Sequence, residues 1–168
     1  AANVVSFEAL RNYYTAQLSW NVDQDANALI EDFIEHYYKQ AAPYVQEYFD
    51  LINLNFKLAQ AEAEAEGSHF GQYVQIAMNR DLFNQRIWPE QLLRQCLELF
   101  DRAYEAVEAA GLSSAEEEKL LFRLRKEELI PRYYQLYMYK DSFTNAQYAE
   151  MVEQFNLDVA DLGGNITL

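Results

Sequence analysis

Residues 18–49, LSWNVDQDANALIEDFIEHYYKQAAPYVQEYF, decide the fold of this chain. Trp20 and Asn21 close one helical pattern, and an acidic turn follows in which a carboxylate can accept hydrogen bonds from the first N–H groups of the next helix. Apolar and aromatic residues then recur at spacings of three and four as far as Tyr37, which indicates a helix with one buried face. Pro43 suits the first turn of a further helix, because its missing N–H costs nothing there. The stretch therefore predicts the end of one helix, the whole of a second and the start of a third.

Helical periodicity continues along most of the chain, so the predicted fold class is all-α. Residues 67–88 are the least regular part and hold at most a short helix at Tyr73–Met78. The other predicted helices begin at Ser6, at Asp23 or Asp25, at Pro43, at Pro89, and at two capping boxes, Ser114–Glu117 and Thr144–Gln147. Together these signals predict a single-domain bundle of about six helices.

Two features refine this predicted architecture. Pro131 falls inside the fifth helical pattern and should kink or split that helix, because proline removes a backbone hydrogen bond and clashes with the preceding turn. The sixth helix is predicted to end near Phe155. We therefore expect a helical domain over residues 1–156 and an exit tail or linker over residues 157–168.

Composition and charge exclude several classes of protein. The chain has 168 residues, of which 51% are hydrophobic, and this suffices for one domain with a sizeable core. Its net charge of −14 repels phosphate backbones and anionic lipid, so neither nucleic acid nor a membrane is an expected partner. Apolar runs stay well short of the ~20 residues that span a bilayer, so membrane insertion is not expected. Cys96 is the only cysteine, which excludes an internal disulfide.

Candidate metal ligands are weak in this sequence. Asn21, Asp23, Asp25 and Asp32 stand at positions 1, 3, 5 and 12 of a calcium-type loop, but alanine replaces the turn glycine at position 6. The simpler interpretation is that Asp23 and Asp25 cap a helix. The spacing of Glu66 and His69 matches a motif of di-iron bundles, yet such a site needs a second copy and two further glutamates. We expect no metal and no cofactor.

Aromatic side chains are the remaining unusual feature, with 13 Tyr, 10 Phe and 2 Trp. Three tyrosine doublets place adjacent rings about 100° apart on a helix, so one helix face cannot bury both rings. The ring left out of the core can lie in a helix–helix groove, at an interface, or in a surface that stacks on sugars. The candidates for interface or sugar contacts are Trp20, Tyr13, Tyr38, Tyr134 and Trp88.

Catalytic residues are not evident from the sequence. Neither His36 nor His69 lies in a recognisable context with serine or cysteine, and Cys96 falls on an apolar helix face. The only basic cluster is expected to pair with acids one helical turn away rather than to bind an anionic ligand. That cluster consists of Arg123, Arg125, Lys126 and Arg132, and the nearby acids are Glu127, Glu128 and residues 116–118.

The order of residues in the first quarter of the chain resembles a known family. The order is Leu10-Arg11-x-Tyr13, Leu18-x-Trp20-Asn21-x-Asp23-x-Asp25, Leu29-Ile30-x-x-Phe33, Tyr37-Tyr38, Ala41-Ala42-Pro43 and Tyr48. It resembles the helical region that follows the barrel in large secreted bacterial proteins similar to α-glucuronidases and β-hexosaminidases, which form a domain-of-unknown-function family. The likeness covers residues 7–56 well and residues 89–155 in helix pattern only. This chain departs from the family at Val22, where a proline is usual, and at Lys39, where a glycine is usual.

The resemblance implies a function for the parent protein rather than for this chain alone. The parent would act on glycosidic bonds with a carboxylic acid and a carboxylate at the C-terminal ends of its barrel strands. Those residues would lie outside this chain, so the resemblance assigns no catalytic residue here. It implies a helical accessory domain that packs on its own upstream barrel, shapes the substrate cleft or forms a dimer contact. It also implies a secreted, periplasmic or cell-surface location.

Two alternatives remain open on the sequence alone. The chain could be a stand-alone acidic interaction module or adaptor. It could also be a carbohydrate-binding module that stacks its exposed rings on sugars.

Overall fold

The computed structural model describes residues 6–67, 85–164 and 168, and these residues form a single compact helical domain. The helices are α1 (Glu8–Trp20), α2 (Ala26–Tyr38), α3 (Ala42–Ala65), α4 (Glu90–Glu108), α5 (Ser114–Met138) and α6 (Asn145–Asp161). Short 3-10 turns lie at Lys39–Ala41 and Lys140–Ser142. The predicted all-α, single-domain bundle is therefore confirmed for the described part of the chain. The predicted short helix at Tyr73–Met78 lies outside the described residues.

The starts of three helices show how far local capping signals can be trusted. Asp25 caps α2 by accepting hydrogen bonds from the N–H groups of residues 27 and 28, as predicted, and Thr144 forms the predicted capping box with Gln147. Ser6 does not cap α1, because its hydroxyl lies 3.2 Å from the Tyr48 hydroxyl instead. The prediction that Ser6 caps α1 is therefore wrong.

The capping box predicted at Ser114–Glu117 does not form, because the residue before α5 is Ser113 and its side chain caps no backbone N–H. Helix α5 begins at Ser114, so Ser113 is the residue before it, and the Ser113 hydroxyl donates to the Glu116 carboxylate at 2.8 Å. The same helix runs through Pro131 without being split. A kink at Pro131 stays a prediction.

Helix α6 extends to Asp161, six residues beyond the predicted end at Phe155. Val159, which falls in the expected tail, is buried between α5 and α6 together with Phe155, Leu129 and Leu136. The boundary at residue 156 therefore cuts through α6, and an exit tail can begin no earlier than residue 162.

The main core lies where α3 and α4 pack together, with α2 and α5 on either side. Tyr48 and Phe100 contact each other at its centre, with ring centroids 4.9 Å apart, and both are essentially fully buried. Leu93 and Cys96 are likewise inaccessible to solvent. Apolar burial of this kind is the main source of stability in a helical bundle.

The basic residues of α5 pair with other helices, so the prediction that they pair along α5 is wrong. Arg125 and Arg132 bind α6 through Asp158, at 3.6 and 2.6 Å, and Lys126 lies 3.6 Å from Glu8 of α1. These ion pairs link α5 to α6 and to α1. They are partly exposed and contribute modestly to stability.

One buried carboxylate joins the start of α1 and the end of α2 to α5. Glu127 is 6% exposed and accepts a hydrogen bond from the Phe7 N–H at 2.7 Å and another from the Tyr38 hydroxyl at 3.0 Å. Burial raises the pKa of Glu127 to about 7, although the two donors oppose this shift by favouring the charged form. Tyr38 was a candidate for an interface or sugar contact, but it is 1% exposed. That assignment is corrected, because its ring is packed in the core and its hydroxyl is bound to Glu127.

Lys39 has a backbone conformation that suits glycine. It follows α2 with φ 50° and ψ −115°, a region in which a Cβ atom is strained. This is the position at which the sequence departs from the glycine usual in the family that it resembles. The chain therefore carries a side chain where a glycine would relieve strain.

We expect Lys39→Gly to be more stable than Lys39→Ala by about 1 kcal/mol, the reverse of the usual order of these residues in helices. Both variants lose the partly exposed ion pair between Lys39 and Glu116, so their difference isolates the backbone strain. Urea denaturation monitored by circular dichroism measures both free energies. Equal stabilities, or a more stable alanine variant, would show that residue 39 is not strained.

The raised pKa of Glu127 makes stability depend on pH. The folded state binds this proton more tightly than the unfolded state, so the contribution is complete below about pH 4.5 and is lost as the pH rises through about 7. Relative to Glu127→Gln, we expect the wild-type free energy of unfolding to fall between pH 5 and pH 8, by at most about 3 kcal/mol. Urea titrations at several pH values measure this difference.

Glu153→Gln is the matched control, because Glu153 is exposed on α6. It should give a curve parallel to that of the wild type. If Glu127→Gln also runs parallel to the wild type from pH 5 to pH 8, Glu127 does not titrate in this range and its assignment is wrong.

Candidate docking surface

The turn between α1 and α2 is held in place by its own side chains. Gln24 donates from its amide to the backbone oxygens of Gln17, at 2.8 Å, and of Asn21, at 3.2 Å. The side-chain oxygen of Asn21 accepts the N–H of Asp23 at 3.1 Å, and Asp25 caps α2. Local bonds of this kind fix the turn without contacts from the rest of the protein.

This turn presents two large apolar side chains to solvent. Trp20, the last residue of α1, is 91% exposed, and Val22 is 79% exposed. Tryptophan is highly buried on average in folded proteins, so an indole in this position is unusual. We call Trp20 and Val22 the hairpin tip.

Tyr13 lies two turns before Trp20 on the same face of α1, but its ring packs within the hairpin. Its centroid is 5.2 Å from that of Phe33, which stacks in turn on Tyr37 at 4.8 Å. The Arg123 guanidinium lies over the Tyr37 ring, 3.8 Å from its centroid, and donates to the Tyr37 carbonyl oxygen. Tyr13 is half-buried, so it supports the hairpin and leaves only part of its ring to a partner.

Trp88 and Tyr134 form a separate pair on another part of the bundle. Their rings stack with centroids 4.4 Å apart and an angle of 17° between the planes, and both residues are half-buried. The Tyr139 hydroxyl donates to the Trp88 carbonyl oxygen at 2.8 Å. Each ring has one face covered by the other, so the structure does not gather the five predicted aromatic residues into one surface.

The weak calcium candidates are not brought together. Asp25 is occupied as the cap of α2, and Asn21 binds within the turn. Asp32 lies two turns into α2, 3.4 Å from the Tyr13 hydroxyl and 3.4 Å from His36. Within the ranges that the structure describes, no group of three or more His, Cys, Asp or Glu side chains could hold a metal ion. His69, the partner of Glu66 in the other candidate motif, lies outside those ranges.

Reactive side chains are similarly dispersed. Burial raises the pKa of the Cys96 thiol to about 12, which keeps it protonated and unreactive. His36 is exposed on α2, where a hydrogen bond to the Asp32 carbonyl oxygen and the Asp32 charge raise its pKa. In the described part of the chain, no helix is both long and apolar enough to cross a membrane.

Two of the clefts that the described residues form lie on the surface of the bundle. One, of about 140 Å³, lies between α1 and α5 beside Glu127, but its cations already bind Glu8 and Tyr37. The other, of about 250 Å³, lies between α3 and α4 beside Leu54 and Leu58, which are both more than half exposed. Both are smaller than the ~300–1,000 Å³ typical of small-molecule sites.

Sequence reasoning named Trp20 as a docking residue but missed Glu127, which it assigned to a local ion pair. The only sequence signal for Glu127 is its position on the same face of α5 as Leu120, Leu124 and Pro131. A glutamate at such a position is rarely buried unless it has partners, and those partners are 120 and 89 residues away along the chain.

Comparison with known proteins yields one match. Residues 2–50 match the model of a family described as a domain of unknown function (DUF4838). No curated protein and no solved structure matches the chain. The matched residues include α1, α2 and the turn that carries the hairpin tip. This part of the chain is thus similar to a domain-of-unknown-function family.

Proposed function

We propose that this chain is a non-catalytic helical accessory domain of a glycoside hydrolase-like protein, and that its hairpin tip packs on the upstream catalytic barrel. The observation that carries the proposal is the exposure of Trp20, at 91%, on a turn that its own hydrogen bonds hold in place. In the assembled protein the domain shapes one wall of the substrate cleft or a dimer contact. It acts in carbohydrate metabolism outside the cytoplasm.

The energetics favour a docking role for this indole. Burying a tryptophan side chain removes about 200 Å² from water, which corresponds to about 5 kcal/mol as an upper limit. Because the turn is already ordered, little conformational entropy is lost when it binds. Tryptophan is also among the residues most often found as hot spots of protein interfaces.

This proposal rests on the resemblance described above. The match of residues 2–50 to a family of unknown function supports that resemblance for the first part of the chain. The glycosidase-like barrel and the extracytoplasmic location come from that resemblance. The chemistry belongs to the parent enzyme, and no catalytic residue is assigned to this chain.

A carbohydrate-binding module is the second candidate, and the same exposed indole favours it. A free tryptophan face can stack on a sugar ring as readily as it can enter a protein pocket. The Trp88–Tyr134 pair is a poorer candidate for sugar stacking, because each ring already covers one face of the other.

Hydroxyl-radical footprinting with mass spectrometry tests the docking role, because it reports the solvent exposure of individual side chains. In the longer polypeptide that includes the upstream barrel, we expect Trp20 to be oxidised at least five times more slowly than in the 168-residue chain. Leu157, which is 59% exposed on α6, is the internal reference. Equal oxidation of Trp20 in both proteins would overturn the docking role.

We expect Trp20→Ala to release the hairpin tip from the upstream barrel. Loss of a hot-spot tryptophan costs about 2–4 kcal/mol of docking free energy, a factor of about 30 or more in the docking equilibrium. We therefore expect oxidation of Val22 in the longer variant to approach its rate in the 168-residue chain. Leu157→Ala is the matched control and should leave Val22 protected. If oligosaccharides rather than the barrel protect Trp20, the chain is a carbohydrate-binding module.

A further inference from the structure

The α1–α2 hairpin has a one-sided distribution of charge. Between Arg11 and Lys39 the sequence contains no lysine and no arginine. The same stretch contains five acidic residues, Asp23, Asp25, Glu31, Asp32 and Glu35. The hairpin therefore carries a formal charge of −5 between its two flanking cations, His36 being counted as neutral.

These acids are all exposed, and no lysine or arginine in the described residues neutralises them. Asp32 pairs with His36 at 3.4 Å, and Asp25 accepts backbone hydrogen bonds as a cap. Five acids elsewhere in the bundle do have basic partners on other segments. The pairs are Glu8–Lys126, Glu66–Arg86 and Glu116–Lys39. In addition, Asp158 pairs with both Arg125 and Arg132, and Asp161 pairs with Arg125. Within the described residues, no lysine or arginine therefore compensates the negative potential of the hairpin.

The hairpin tip lies at one end of this negative surface. Trp20 and Val22 are followed directly by the exposed side chains of Asp23 and Asp25. An apolar anchor beside unpaired charges of one sign matches the common organisation of interfaces, in which a dry centre is surrounded by a polar rim. The complementary surface has an apolar pocket and a rim of the opposite charge.

We propose that the hairpin tip binds an apolar pocket bordered by lysine and arginine side chains, on the neighbouring domain of the same protein. This inference rests on the proposed docking function and adds the chemistry of the partner surface. The Trp20 indole fills the pocket, and the acids of α2 lie against its basic rim. A second copy of this chain is a poor occupant, because two hairpins of charge −5 would repel each other.

Docking through rim charges and docking through a central apolar anchor respond differently to salt. Salt screens the attraction between rim charges, since the Debye length falls from about 10 Å at 0.1 M to about 3 Å at 1 M. The apolar contact of Trp20 is not weakened in this way. Docking through a basic rim therefore weakens as salt is added, whereas docking through an uncharged pocket does not.

The test is footprinting of Trp20 in the longer polypeptide, expressed relative to the oxidation of Leu157 in the same sample. Between 0.05 and 0.5 M NaCl we expect the relative oxidation of Trp20 to rise at least threefold. The double variant Glu31→Gln, Glu35→Gln should raise it at low salt and flatten the response to salt. These two acids are exposed and one turn apart, so their mutual repulsion is relieved and the helix is not weakened.

The matched control is the double variant Glu150→Gln, Glu153→Gln, which removes two exposed acids from α6. It should respond to salt as the wild type does. If Trp20 is protected but neither salt nor the α2 variant changes its oxidation, the partner surface has no basic rim. In that case this inference fails while the docking function stands.

Two further outcomes would also be decisive. If Trp20 is as reactive in the longer polypeptide as in the 168-residue chain, both the docking function and the basic pocket are wrong. If its protection depends on protein concentration, a second copy is the occupant and the inferred partner chemistry is wrong.

Discussion

The carboxylate of Glu127 holds both open ends of the α1–α2 hairpin. One oxygen binds the N–H of Phe7, just before α1, and the other binds the hydroxyl of Tyr38, the last residue of α2. The hairpin tip lies at the other end of two 13-residue helices, about 20 Å away. This polar contact beside the core joins the base of the hairpin to α5. Burying a carboxyl group is costly. The two hydrogen-bond donors offset part of this cost, and so does the raised pKa, which lets the carboxyl group take up a proton near neutral pH.

The features that the sequence predicted correctly depend on neighbouring residues. Asp25 as the cap of α2 and the Thr144–Gln147 capping box require only contacts two or three residues apart. Ser6 failed as a cap because its hydroxyl has a partner 42 residues away, in Tyr48. The predicted pairing along α5 was wrong for the same reason, since the partners of these basic residues lie on α1 and α6. Contacts between helices depend on how the helices pack, and helical periodicity does not encode that.

The tyrosine doublets show that the same limit of sequence-based prediction applies to the candidate site. Helical geometry establishes that adjacent rings point in different directions, but it does not say which ring enters the core. In Tyr37–Tyr38 the second ring is buried and its hydroxyl binds Glu127, so the ring that was expected outside the core lies inside it. Trp20 lies outside the core, because a large aromatic residue at the end of a helix has few neighbours along the chain to cover it, and its docking role stays a prediction. The charge asymmetry around it was readable from sequence as a stretch without basic residues.

The inaccessibility of Cys96 has a practical consequence for spectroscopy. The only thiol of the chain has no solvent exposure, and its raised pKa disfavours the thiolate that alkylating reagents attack. A cysteine introduced at an exposed position would therefore be the sole reactive thiol in this chain, without removal of the native one. Fluorophores or spin labels could then be attached on α2 or α6, and distances across an assembled protein could be measured with the core left intact.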